Sequence, residues 1–212
     1  MSTPTPRAAE PDVSRQVWNL PNVLTMGRIA MIPFFIWALV ADASRAGEPW
    51  GDPRYGVARW IALVLFGLAM YTDMLDGQIA RRRNLITDFG KIADPIADKA
   101  LTGSAMILLS LVGDLPWWVT VLILVREWGI TLLRLAVVRH GVMAASKGGK
   151  LKTVLQAAGL VLLLIPFAAN PVWHIVALIV MYAALVVTVV TGVDYAVKAA
   201  QLVRSSKAGR ER

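Results

Sequence analysis

The sequence predicts an all-α, polytopic membrane protein of six transmembrane helices, with a short interfacial helix in front of them. Three observations carry this. Of the 212 residues, 57% are hydrophobic and the mean hydropathy is +0.58, more apolar than soluble domains generally are. The apolar residues gather in six blocks, at about 22–40, 57–80, 93–112, 117–138, 152–169 and 172–197. Each block is near the ~20 residues a helix needs to cross a bilayer. Finally, Lys and Arg gather in alternate connectors, the pattern that orients polytopic membrane proteins.

Residues 1–11 are polar and Pro-rich and read as a disordered tail rather than a secretory signal. In residues 12–20, Val13, Val17 and Leu20 recur at helical spacing beside Trp18, as in a helix lying on the membrane surface. Pro21 suits the first turn of the next helix, with Asn19 or Asn22 as its cap. The connector from Arg81 to Lys91 carries Arg81, Arg82, Arg83 and Lys91, and that from Arg139 to Lys152 carries Arg139, Lys147, Lys150 and Lys152. The segments Gly113–Pro116 and Ala168–His174 carry no Lys or Arg. Both termini and both basic connectors are therefore expected in the cytoplasm of a cell membrane. Trp50, Trp60, Trp117, Trp118 and Trp173 fall at the opposite ends, as an interfacial belt of lipid anchors does. Residues 12–200 read as one membrane domain and 201–212 as a basic tail.

The absence of cysteine excludes disulfides and thiolate chemistry. His140 and His174 lie too far apart to suggest a metal-ligand spacing. The net charge of +8 clusters between apolar blocks, which points to anionic lipids and anionic substrates rather than to nucleic acid.

The chemistry sits around the first basic connector. Asp73 and Asp76 stand three apart at the end of the second block, and Asp94 and Asp98 four apart at the start of the third. Each spacing puts both carboxylates on one helix face. A short loop joins the helices, so the two faces are expected to meet and bring four acids together near one membrane surface. An Asp at the centre of a membrane helix costs roughly 2.5–3.5 kcal/mol, less near the interface, so four cost on the order of 10 kcal/mol at most. Divalent cations offset that cost, and hard carboxylate oxygens suit Mg²⁺ or Mn²⁺. The plainer reading, solvated acids paired with Arg81, Arg82, Arg83 and Lys99, leaves the facing pairs unexplained. Gly77 and Gly90 flank the cluster and admit either a ligand or, with Ala80, a packed helix. Arg81 is placed to clamp a phosphate or to set topology. Acids, metals and arginine around phosphates describe phosphoryl-type transfer. In such transfer two metals stabilise the attacking and leaving oxygens, and one carboxylate is the general base.

The pattern Asp73-x2-Asp76-Gly77-x2-Ala80-Arg81-x8-Gly90-x3-Asp94-x3-Asp98 resembles the complete signature of the CDP-alcohol phosphotransferases. At about one in twenty per position, a chance match is on the order of 10⁻⁸. The resemblance implies a six-helix membrane fold, a homodimer, and a site open to the cytoplasm. It further implies that Asp73, Asp76 and Asp94 bind two metal ions, and that Asp98 touches a metal and is the base. Gly77 and Arg81, with Thr87, would contact CDP-diacylglycerol, and CMP would leave.

Residues 19–33, Asp88–Lys99, Arg126-Glu127 with Arg134, and Gly149–Thr153 followed by Gln156 are similar to one branch of that family, the bacterial phosphatidylglycerophosphate synthases. Their acceptor is glycerol 3-phosphate, a dianion whose pocket needs fixed cations. Arg126, Arg134, Lys150 and Lys152 are the candidates to bind its phosphate, and structural pairing or solvation is the competing account for each. Thr25 and Arg28, at the start of the first span, are placed to touch the nucleotide or diphosphate. Inositol phosphate is an alternative acceptor that would also want a basic pocket. A divalent-cation transporter is the alternative of a different class, but such proteins place acids near mid-membrane, often in symmetric halves.

Overall fold

The computed structural model describes residues 19–45, 56–82, 87–137, 147–167 and 170–208. These form six α-helices, α1 (Leu20–Arg45), α2 (Val57–Arg82), α3 (Asp88–Leu111), α4 (Trp117–Val137), α5 (Lys147–Leu164) and α6 (Pro171–Ala208), with no strand among the described residues. They match the six apolar blocks in number and order. The N-terminal tail, the expected interfacial helix up to residue 18, Trp50, Arg83 and the connector 138–146 lie outside the described residues.

Local chemistry sets the helix ends. Asn19 caps α1: its side-chain Oδ1 accepts the Asn22 backbone N–H at 2.9 Å, which satisfies a donor in the first turn. Thr87 caps α3 in the same way, accepting from the Gly90 N–H at 3.1 Å. At the far end of α3, Gly113 takes φ +83°, a region open to glycine. Around it the Asp114 N–H reaches the Leu109 carbonyl and the Gly113 N–H the Ser110 carbonyl, the paired bonds of a Schellman turn. That turn sends the chain back into α4.

Three helices are long and apolar enough to cross a membrane, over Leu20–Ala41, Val57–Ala80 and Pro171–Leu202. α3, α4 and α5 are 24, 21 and 18 residues long but each carries three or more charged residues. α6 continues to Ala208, past the end of its apolar block and through most of the segment expected as a tail. Its 38 residues span about 57 Å at 1.5 Å per residue.

α1 packs against both α2 and α3, while α6 packs against α5 and α4. α2 and α3 meet α5 in the middle. The shared core holds Phe35 and Leu39 of α1, Phe66 of α2, Met106 and Leu109 of α3, Leu160 and Leu163 of α5 and Met181 of α6. Phe35 and Phe66 rings sit 5.8 Å apart. Gly159 lets α5 and α6 approach closely, since a Cβ there would lie 2.7 Å from Met181 Cγ. Outward positions are apolar on every helix, including Phe34, Trp37, Val64, Leu68, Val121, Val125, Val186 and Val190. A coat of this kind has a hydrocarbon environment as its physical counterpart. Trp60, Trp117 and Trp118 are exposed near the starts of α2 and α4, and Phe167 meets Trp60 and Trp173 edge-on.

Candidate active site

The first cluster is built by α1 as much as by the acid-bearing helices. Arg28, fully buried, pairs with Asp73 at 2.5 Å and also with Asp76. One turn earlier, Thr25 donates to Asp94 Oδ1 at 2.6 Å and lies 3.3 Å from Asp76 Oδ2. α2 and α3 were expected to bring their acidic faces together; the two helices touch, and Thr25 of α1 bridges Asp76 and Asp94. Gly90 earns its place by close approach: a Cβ there would lie 3.1 Å from Asn22 Oδ1 and 3.3 Å from Thr87 Oγ1. The Thr87 hydroxyl donates to Asn22 Oδ1 at 2.9 Å, so this buried threonine, expected beside the lipid donor, is engaged in capping α3 and tying it to α1.

The four aspartates do not close into one cage. Among the described residues no group of three or more His, Asp or Glu is near enough to hold a single ion. Like charges repel, and here the Arg28 guanidinium lies against Asp73 and Asp76 in place of a third carboxylate. The donor chemistry still fits a hard divalent ion, since Asp73, Asp76, Asp94 and Thr25 offer only carboxylate and hydroxyl oxygens. A buried cation among them already shows that the place attracts positive charge.

Asp98 faces a second feature, a small cleft partly open to the surface. Its polar lining is Asp98 and Thr102 of α3, Glu127 of α4, and Lys152, Thr153 and Gln156 of α5, with Met70 and Ala157 beside them. Lys152 forms an ion pair with Glu127 within this cleft, and both side chains are largely buried. The next residue of α3, Lys99, donates to Thr131 and lies 4.8 Å from the Trp128 ring centroid, which fixes α3 against α4 beside Asp98.

The other expected site residues fall in different places. Lys150 is exposed at the start of α5. Arg126 does not line the cleft; it reaches α6, where it donates to Thr191 at 2.8 Å. A Cβ on Gly192 would lie 2.9 Å from Arg126 Nε, so the glycine makes room for it. Gly77 lies in the last turns of α2, half-buried. Arg81 and Arg134 belong to α2 and α4, and their side chains lie outside the described residues. Sequence reasoning noted Glu127 without a role and passed over Thr102, because the side-chain ion pair that joins Glu127 to Lys152 across separate helices has no local signature. It also missed a buried pair at the opposite end of the bundle. There Arg59 binds Asp114 and the carbonyls of Leu163, at 2.6 Å, and Leu164, at 3.3 Å.

The family model for CDP-alcohol phosphatidyltransferase matches residues 18–190. A Mycobacterium tuberculosis protein named "Probable phosphatidylglycerophosphate synthase" is 49% identical over 184 residues, covering 87% of this chain and 83% of the relative. A Bacillus subtilis protein named CDP-diacylglycerol–glycerol-3-phosphate 3-phosphatidyltransferase is 38% identical over 183 residues, covering 84% and 94%. A Streptomyces coelicolor cardiolipin synthase (CMP-forming) is 35% identical over 126 residues, covering 59% and 54%. With its acids, its buried cation and its adjoining cleft carried on a helical membrane bundle, the chain belongs to the CDP-alcohol phosphatidyltransferase family.

Proposed function

We propose that this membrane enzyme transfers the phosphatidyl group of CDP-diacylglycerol to sn-glycerol 3-phosphate, giving phosphatidylglycerophosphate and CMP. The observation that carries the reading is Asp98 in a cleft that also holds Lys152, next to the Arg28–Asp73–Asp76 cluster. A base, a cation for a phosphate and an acid-rich donor site then adjoin one another. The similarity over most of the chain to relatives named for this reaction supports the same acceptor.

In this reading Asp73, Asp76, Asp94 and Asp98 are the residues that would hold two Mg²⁺ or Mn²⁺ ions, and such ions would supply stabilisation of developing negative charge. Thr25, Arg28, Gly77 and Arg81 surround the diphosphate of the donor, and Thr87 shapes the start of α3 beneath it. Asp98 takes the proton from the 1-hydroxyl of the acceptor as that oxygen attacks the phosphorus, and CMP departs. Lys152 and Lys150 attract the acceptor phosphate, with Arg134 and Arg126 as further cations of that end. Six membrane spans with both termini cytoplasmic complete the reading. At 1.5 Å per residue, even α5 reaches about 27 Å, near the ~30 Å of a hydrocarbon core. A homodimer, implied by the family resemblance, is tested by light scattering of the protein in detergent.

The deciding experiment incubates the purified full-length enzyme with CDP-diacylglycerol and Mg²⁺. Glycerol 3-phosphate, inositol phosphate or phosphatidylglycerol is supplied in turn, and the lipid product is identified. Phosphatidylglycerophosphate from the first alone is expected. A product only from one of the others overturns the acceptor assignment, and divalent-ion flux into liposomes without CMP release overturns the enzyme itself.

A further inference from the structure

We propose that Glu127 is the specificity-determining residue for the acceptor, and that it recognises the 2-hydroxyl of glycerol 3-phosphate. The inference rests on the acceptor named above. Lys152 and Glu127 neutralise one another in the cleft, with side chains only 11% and 17% exposed. A dianionic phosphate entering the cleft competes for Lys152, because its double charge attracts the ammonium more strongly than the single charge of Glu127. Glu127 is then left largely buried without the cation that balanced it, a costly state unless a donor replaces it.

The cleft offers little such replacement. The Thr102 hydroxyl donates to its own helix, to the Asp98 carbonyl at 2.8 Å, and the Thr153 hydroxyl to the Gly149 carbonyl at 3.1 Å. The Gln156 amide nitrogen faces Met106 Sδ at 3.8 Å. Glycerol 3-phosphate carries its own donor. With the phosphate at Lys152 and the 1-hydroxyl at Asp98, the remaining 2-hydroxyl lies between them, and the carboxylate of Glu127 accepts it. The pair thus does two jobs: in the ligand-free cleft each side chain balances the other, and it makes the cleft hold best a phosphate that brings a hydroxyl with it.

The test compares kcat/KM for sn-glycerol 3-phosphate and for 3-hydroxypropyl phosphate, which keeps the phosphate and the primary hydroxyl and lacks only the 2-hydroxyl. A hydrogen bond to a charged group predicts a preference of about ten- to hundredfold for glycerol 3-phosphate. Glu127→Gln, a neutral acceptor, should reduce that preference, and Glu127→Met should bring it close to one, with the KM for CDP-diacylglycerol unchanged. The ratio of two acceptors within one preparation cancels any loss of folded protein. Equal use of the two acceptors by the wild-type enzyme overturns the inference without any variant, as does an unchanged preference in Glu127→Met. If neither acceptor releases CMP, the acceptor reading fails and this assignment fails with it.

Discussion

Among the described residues two arginines, Arg28 and Arg59, are fully buried, and their surroundings differ in how the charge is balanced. Arg59, near the start of α2, meets one carboxylate, Asp114, and two carbonyls of the last turn of α5. One positive charge meets one negative charge, and carbonyls that a helix end leaves unbonded gain a donor. Arg28, in α1, meets Asp73 and Asp76 while Thr25 ties Asp94 into the same cluster. One positive charge there faces three carboxylates. At Arg59 the charges balance one to one, whereas around Arg28 the carboxylates outnumber the guanidinium, an arrangement that suits a divalent cation.

The contrast can be broken in four ways, from the largest expected effect to the smallest. Asp98→Asn should lower CMP release by about 10²–10⁴-fold, the range of a general base, with little change in thermal unfolding; CMP production near the wild-type rate would end its assignment as base. Arg59→Ala should do the reverse, destabilising the protein by about 3–5 kcal/mol by leaving Asp114 buried without its partner. Unfolding of the purified variant in detergent measures this, and the activity of the molecules that remain folded should be unchanged. Replacing both partners, Arg59→Met with Asp114→Leu, should recover most of that loss. Saturating Mg²⁺ should stabilise the wild type by about 2.7 kcal/mol at a hundredfold excess over Kd. Chelation should remove both this shift and the activity, and Asp73→Asn should lose the shift where Arg59→Ala keeps it. Arg126→Ala should raise the KM for the acceptor by a few-fold more than the KM for the lipid. An equal change in both would mean that its bond to Thr191 is structural.

The six helices were legible because each is built on a long apolar run, three of them long and apolar enough to cross a membrane, and burial of such runs dominates everything local. The ends were less legible. α5 begins at Lys147, ahead of its apolar block, and α6 runs on to Ala208. Hydropathy registers where water stops, whereas a helix stops only where a cap or a breaking residue acts. Charges of the proposed site also weaken the membrane signal. Asp94, Asp98 and Lys99 in α3, Arg126 and Glu127 in α4, and Lys150 and Lys152 in α5 lie in the helices that fall outside the three candidate spans.

The candidate acids were legible for a related reason. Carboxylates three and four apart at the ends of apolar helices are expensive and regular, and both properties are visible along the chain. What they touch is a matter of packing. Nothing in the order of residues says that α1 packs on both α2 and α3 and brings Thr25 and Arg28 to their acids, that Arg126 turns to α6, or that Lys152 finds Glu127 on another helix. By itself the sequence determined the helices, the membrane environment and the acids, because these follow from the polarity of residues near one another in the chain. Only the tertiary structure decided which charges neutralise which. That choice depends on distances between helices, and a Coulomb energy is set by separation in space rather than in sequence.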